Sequence, residues 1–171
     1  MKRTIAIYRM LGVLLSPVAF LFAVFAVALI MAALSNPPLL LPLFAIVCVA
    51  IYIFSSMAFL NKGILRAQPC RRSLKDLVQV NAIVAGIFAL LMMFQSLLVV
   101  FNPELTNQAI EQLVAMQPDG TPKPPASLRS MLTGIVYFMG VFCFFLLIHI
   151  FITFRLLKQY RHVFHEPGGD S

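Results

Sequence analysis

The feature that most constrains the fold of this chain is a set of four apolar stretches that contain no Asp, Glu, Lys or Arg. The last of them, residues 131–154, would form a helix of roughly 36 Å, long enough to cross a hydrocarbon core of about 30 Å. The others cover residues 10–34, 39–60 and 77–101. Only 11% of the chain is charged, whereas a soluble domain is about a quarter charged. The sequence therefore predicts an all-α integral membrane protein with four spanning helices.

The Lys and Arg residues predict how these helices are oriented. All but two of the 13 belong to the N-terminus, to the connection between the second and third stretches, or to the C-terminus; the exceptions are Lys123 and Arg129. Because cytoplasmic segments of membrane proteins are enriched in Lys and Arg, we predict that both termini are cytoplasmic. Residues 61–76 then form a cytoplasmic loop, residues 102–130 an outer loop and residues 155–171 a cytoplasmic tail.

The predicted architecture is a single membrane domain, residues 1–171, folded as an up-down-up-down four-helix bundle. Since no long organellar presequence precedes the first stretch, we expect a plasma-membrane location, in a bacterial inner membrane. Residues 105–116 carry apolar side chains on one side and polar ones opposite, which predicts a short amphipathic helix in the outer loop. Pro17 frees a backbone carbonyl within the first helix, and we expect the Ser16 hydroxyl to cover it.

The absence of charge from the four stretches argues against several functions. Ion-coupled transporters and proton pumps need buried ionisable groups along their path, and the usual motifs of hydrolases, metalloproteases and nucleotide-binding proteins are absent. The net charge of +7 is explained by the cytoplasmic excess of Lys and Arg, so nucleic-acid binding is not expected. We predict a protein that is not an enzyme and has no cofactor or metal.

Mild polar residues remain inside the stretches. In the third stretch, Asn81 and Gln95 recur on one face at heptad-like spacing, with Ser96 beside them. Two interpretations stay open: hydrogen bonds that join helices, each giving about 0.6–2 kcal/mol, or a polar groove for a ligand. The residues that either interpretation assigns to this site are Asn81, Gln95, Ser96, His149 and Thr153.

His149 is the only ionisable side chain well inside a stretch. It lies roughly 9 Å inward of Arg155, and Asn81 lies roughly 6 Å inward of Leu77 on a helix of opposite direction. The two residues are therefore predicted at similar depths. The hypothesis is that a neutral His149 forms a hydrogen bond with Asn81, or with another partner, between helices.

The basic residues near the predicted cytoplasmic surface form a second candidate site, for anionic lipid or a protein partner. They are Arg66, Arg71, Arg72, Lys75, Arg155, Lys158 and Arg161. Leu156, Leu157, Tyr160 and Phe164 recur at helical spacing, which predicts that the last helix continues beyond residue 154. Cys70 precedes two arginines, which we expect to lower the pKa of its thiol.

No motif in the chain names a family. The pattern favours a non-catalytic accessory, scaffold or interaction subunit that contacts membrane lipid and another membrane protein or a second copy of itself. The alternative is a protein that transports a small solute or handles lipid, with Asn81, Gln95 and His149 lining a groove. The direction in which the polar residues point distinguishes the two, because a groove must open to water or to one leaflet.

Overall fold

The computed structural model describes residues 2–102, 104–115 and 127–165, and it is nearly all helical. Four of its helices are long and apolar enough to cross a membrane, so the prediction of four such helices is confirmed. The Pro-rich part of the predicted outer loop and the end of the predicted tail lie outside the described residues. The helices are α1 (Lys2–Ser35), α2 (Leu40–Phe59), α3 (Arg72–Phe101), α4 (Glu104–Ala115) and α5 (Ser127–Gln159).

Helix α1 contains Pro17 and nevertheless continues to Ser35. The hydroxyl of Ser16 donates a hydrogen bond to the carbonyl of Val13 at 3.0 Å. Val13 is four residues before Pro17, so its carbonyl is the one that the missing proline N–H leaves free. The prediction that Ser16 covers this carbonyl is confirmed.

Helices α1 and α2 pack against each other, joined by a short 3₁₀ turn at Pro37–Leu39. A proline fits the first positions of such a turn because it lacks a backbone N–H, and an N–H at those positions would have no partner. Helix α2 does not end abruptly. It continues as a wider π-helical turn over Leu60–Leu65, and Ala67 then adopts a positive φ of 50°, which reverses the chain before α3.

Two short strands connect this region with the end of the chain. Strand β1 (Cys70–Arg71) pairs in parallel with strand β2 (Phe164–His165), and Cys70 lies opposite Phe164. The last helix continues beyond residue 154, as predicted, but α5 ends at Gln159. It does not extend to Phe164, which the helical spacing had included. The ring of Phe164 stacks on Phe59 with centroids 5.4 Å apart, and this packing, together with the strand pairing, replaces the helical bonds that the spacing suggested.

The chain forms two compact units. Unit 1 comprises residues 1–88 and 145–171, and unit 2 comprises residues 89–144. Large side chains fill the core of unit 1; those without any exposed surface include Tyr8, Val49, Tyr52, Ile53 and Phe59.

In unit 2, α3 and α5 approach closely. A Cβ atom added at Gly140 would lie only 3.1 Å from Cβ of Ser96. The Ser96 hydroxyl donates to the carbonyl of Met92 at 2.8 Å and to that of Val136 at 3.2 Å. Small residues are typical of helix contacts in membranes because they let the backbones come near each other.

Candidate functional site

Four deeply buried polar side chains of unit 1 form one group, which we call the tyrosine–histidine cluster. Its members are Tyr8 of α1, Tyr52 of α2, and His149 and Thr153 of α5. His149 and Thr153 are four residues apart, so they lie on the same face of their helix. Each of the four side chains is at most 1% exposed. At such burial a polar group needs hydrogen-bond partners, and the cluster supplies most of them internally.

The hydroxyl of Tyr52 is the centre of the cluster. It lies 2.8 Å from Nδ1 of His149 and 2.7 Å from Oγ1 of Thr153. The Thr153 hydroxyl donates to the backbone carbonyl of His149 at 2.8 Å. Because Thr153 has a single hydroxyl hydrogen, Tyr52 donates to Thr153 and accepts from the Nδ1–H of His149. This assignment makes Nδ1 the protonated nitrogen of a neutral imidazole.

Aromatic contacts hold the imidazole ring from two sides. Tyr8 stacks on it with centroids 4.5 Å apart and planes inclined by 12°, and Tyr52 meets its edge at 5.7 Å. The Tyr8 hydroxyl also donates to the carbonyl of Ser56 at 3.4 Å and lies 3.3 Å from Oγ1 of Thr153. The cluster thus connects three helices through one histidine side chain.

The second imidazole nitrogen, Nε2 of His149, faces α1 at Gly12. A Cβ atom added at Gly12 would lie 3.6 Å from Nε2 and 2.5 Å from Sδ of Met57, so glycine allows this close approach of helices. Among the residues that the structure describes, Nε2 has no hydrogen-bond partner. In the tautomer assigned above it carries a lone pair and no proton.

Of the residues that the sequence grouped with His149, Thr153 belongs to the cluster, whereas Asn81, Gln95 and Ser96 do not. The Asn81 side chain is buried and donates to the carbonyl of Leu77 on its own helix at 2.8 Å. The partner of Nδ1 of His149 is Tyr52, as described above, rather than Asn81. Gln95 is exposed, and Ser96 makes the contact with Val136 in unit 2.

Sequence reasoning missed Tyr8 and Tyr52, which supply both aromatic contacts of the cluster. Tyr8 falls in the charged segment before the first apolar stretch, but α1 already begins at Lys2. The residue type alone could have marked both tyrosines, because a buried tyrosine in an apolar helix normally forms a hydrogen bond through its hydroxyl.

The structure also gathers some of the predicted basic residues. Arg72, Lys75 and Arg161 line a cavity of about 200 Å³ together with Phe164. Arg155 lines another, of about 240 Å³, between the start of α1 and the end of α5. The remaining predicted members are exposed and line neither cavity: Arg66, Arg71 and Lys158.

The pKa of the Cys70 thiol is not lowered as its neighbours in the sequence suggested. Its side chain is buried, and its thiol donates to the carbonyl of Gln68 at 3.7 Å. Burial raises the pKa of the Cys70 thiol, and the positive charge of Lys62 lowers it by a smaller amount. The expectation that Arg71 and Arg72 lower the pKa is therefore wrong, because burial disfavours the charged thiolate.

Within the described ranges, no three or more His, Cys, Asp or Glu side chains come together in a way that could hold a metal ion. Comparison of the chain with protein-family models, with curated proteins and with solved structures found no match. The functional interpretation therefore depends on the geometry of the two sites themselves.

Proposed function

We propose that this is an integral membrane protein whose four long helices all cross the bilayer. Large exposed apolar side chains on each of these helices support this proposal: Phe20 of α1 is 62% exposed, Leu41 of α2 77%, Phe94 of α3 62% and Phe151 of α5 72%. In water, exposed apolar side chains along four helices would promote aggregation. In hydrocarbon the same side chains are in a favourable solvent.

The proposed topology has both termini in the cytoplasm, an up-down-up-down order of helices in a single domain, and α4 on the outer side. The charge distribution supports it. Of the 13 Lys and Arg residues, only Lys123 and Arg129 lie in the proposed outer loop, and the others lie in the segments proposed to be cytoplasmic. This asymmetry is the one that orients membrane proteins, and a bacterial inner membrane is its proposed location.

Thiol labelling in intact cells tests this topology. We expect Gln108→Cys, on α4, to react with a membrane-impermeant maleimide added outside. Gln68→Cys, in the predicted cytoplasmic loop, should react only after the cells are permeabilised. The background chain carries Ala at the three native cysteines, Cys48, Cys70 and Cys143. Equal labelling of the two positions before permeabilisation would exclude the proposed orientation.

We infer a non-catalytic role, as an accessory or scaffold subunit that contacts another membrane protein, a second copy of itself or anionic lipid. The tyrosine–histidine cluster carries this inference. Its polar atoms bond to one another between helices and are closed to solvent, which is what a stabilising contact requires. Arg66, Arg71 and Lys158, by contrast, are exposed and therefore accessible to a partner.

A lipid-handling role is the second candidate, and one observation favours it. In unit 2, Gln95 and Ser96 line a cavity of about 400 Å³ whose other walls are apolar. The apolar walls are Met92, Leu98, Val99, Leu105, Ile135, Val136 and Met139. A cavity with apolar walls and two polar side chains suits an acyl chain next to its ester group.

Purification in mild detergent, followed by mass spectrometry of the bound proteins and lipids, distinguishes the two candidates. For the scaffold, we expect a protein partner that is lost when Arg66, Arg71 and Lys158 are changed to Gln, because rim charges steer association. For the lipid-handling protein, we expect bound phospholipid that survives this change and is lost in Ile135→Trp, which fills the cavity. Retention of the same protein partner by the charge-neutralised variant would contradict the scaffold proposal.

A further inference from the structure

We propose that the cavity lined by Arg72, Lys75, Arg161 and Phe164 binds a phosphomonoester group, presented by a lipid headgroup at the cytoplasmic surface. The lipid source depends on the proposed membrane topology. The binding chemistry does not, because it follows from the residues that line the cavity. The observations that carry it are the cationic lining, the helix terminus beside it and the strand pairing that holds the wall in place.

The lining is cationic on two sides. Arg72 and Lys75 are three residues apart in the first turn of α3, so they lie on one face of the helix. Arg161 approaches from the other side, from the short 3₁₀ turn that follows α5. Arg side chains bind phosphate oxygens through two parallel N–H groups, and Lys binds them as a point charge. Two arginines and a lysine around about 200 Å³ therefore favour a multiply charged anion.

The beginning of α3 strengthens this preference. Arg72 is the first residue of this helix. The positive end of the helix dipole also lies at this terminus, so anions are stabilised there. The cavity is thus lined by the first turn of a long helix in addition to its cationic side chains.

The opposite wall is fixed by packing. Phe164 belongs to β2, which pairs with β1 immediately before α3, and its ring stacks on the fully buried Phe59. Arg161 is only three residues away from this anchored ring. The structure therefore brings the backbone positions of cations from distant parts of the sequence around one space.

The ligand chemistry has two possible sources, a lipid headgroup and a soluble phosphate. The position of the cavity favours the lipid, because α3 begins and α5 ends here, at the boundaries of two membrane-length helices. A headgroup with a terminal phosphate carries more negative charge than a phosphodiester headgroup. We therefore expect preference for phosphatidic acid over phosphatidylserine.

The experiment uses the full chain in detergent micelles and measures binding of short-chain phosphatidic acid by native mass spectrometry. The variant Lys75→Gln/Arg161→Gln should weaken binding at least about tenfold, because charge-assisted hydrogen bonds are lost. The matched control is Arg9→Gln/Lys62→Gln, which also removes two cations, both exposed and neither lining the cavity; we expect less than about a twofold change. Equal thermal unfolding midpoints would show that all variants are folded.

Two further comparisons complete the test. Competition by inorganic phosphate at millimolar concentration would assign the site to soluble phosphate, whereas its failure to compete would assign it to the lipid. Equal weakening by Lys75→Gln/Arg161→Gln and by Arg9→Gln/Lys62→Gln would overturn the proposal, as would equal affinity for phosphatidic acid and phosphatidylserine. Because micelles have no sides, these outcomes are independent of the thiol-labelling result.

Discussion

Replacement of Tyr52 by Phe is expected to lower the free energy of unfolding by about 1–3 kcal/mol, although it removes a single oxygen atom. That oxygen lies within 2.8 Å of both His149 and Thr153, so its loss leaves the buried Nδ1–H of His149 without a partner. A hydrogen bond between membrane helices gives about 0.6–2 kcal/mol, and this substitution removes two. Unfolding in mixed micelles by titration with SDS measures the change.

The matched control is Tyr137→Phe. Tyr137 lies on α5 but is 53% exposed, so we expect a change below about 0.5 kcal/mol. A double variant, Tyr52→Phe/His149→Leu, tests the pairing itself, because removal of both partners leaves fewer unsatisfied groups than removal of one. Simple addition of the two single effects would show that Tyr52 and His149 do not act together.

Replacement of Gly63 by Ala is expected to destabilise the protein by about 1–3 kcal/mol, the usual range for an overpacked core. The new Cβ would lie 3.1 Å from two ring carbons of Phe59 and 3.3 Å from Sγ of Cys70. Phe59 cannot easily move away, because it is fully buried and stacked on Phe164. The thermal unfolding midpoint of the purified protein reports the effect.

Gly134→Ala serves as the control, since no atom lies within 4 Å of the Cβ position at Gly134. Alanine is a better helix former than glycine by roughly 0.8–1 kcal/mol, so this variant should be as stable as the wild type or more stable. A loss of stability in Gly63→Ala without a loss in Gly134→Ala would show that the effect comes from steric crowding and not from the added methyl group in general. A stable Gly63→Ala variant would mean that the packing around Phe59 is looser than described.

The four membrane-length helices were predictable because each depends on a contiguous run of apolar residues. The same holds for the Ser16–Val13 bond beside Pro17, which joins atoms within one helical turn. Local chemistry also explains why Asn81 does not bond to His149. Its amide satisfies the carbonyl of Leu77 one turn away, and such a local bond competes with any partner on another helix.

Contacts between distant residues were not predictable in the same way. Tyr8 and Tyr52 contact His149 only because three helices pack together, and the spacing of residues within one helix does not predict contacts with another helix. The pKa of Cys70 shows the same limit. Its neighbours in the sequence are Arg71 and Arg72, but its thiol is buried near Gly63 in the fold, and burial has the larger effect.

The membrane topology and the functional role stay predictions, since they depend on a bilayer and on partners. The cavity at Arg72, Lys75 and Arg161 was predictable only as a list of cations. A two-residue strand has no periodicity from which its partner can be identified. The position of Arg161 next to the start of α3 could therefore not be predicted from the sequence.

The pairing of β1 with β2 has a consequence for biosynthesis. Strand β2 follows α5 in the chain, so β1 has no partner until the last apolar helix has been synthesised. The connection between α2 and α3 therefore lacks this strand pairing until Phe164 and His165 have been synthesised. A nascent chain that stalls before Phe164 would contain the four membrane-length helices and still lack the pairing of β1 with β2.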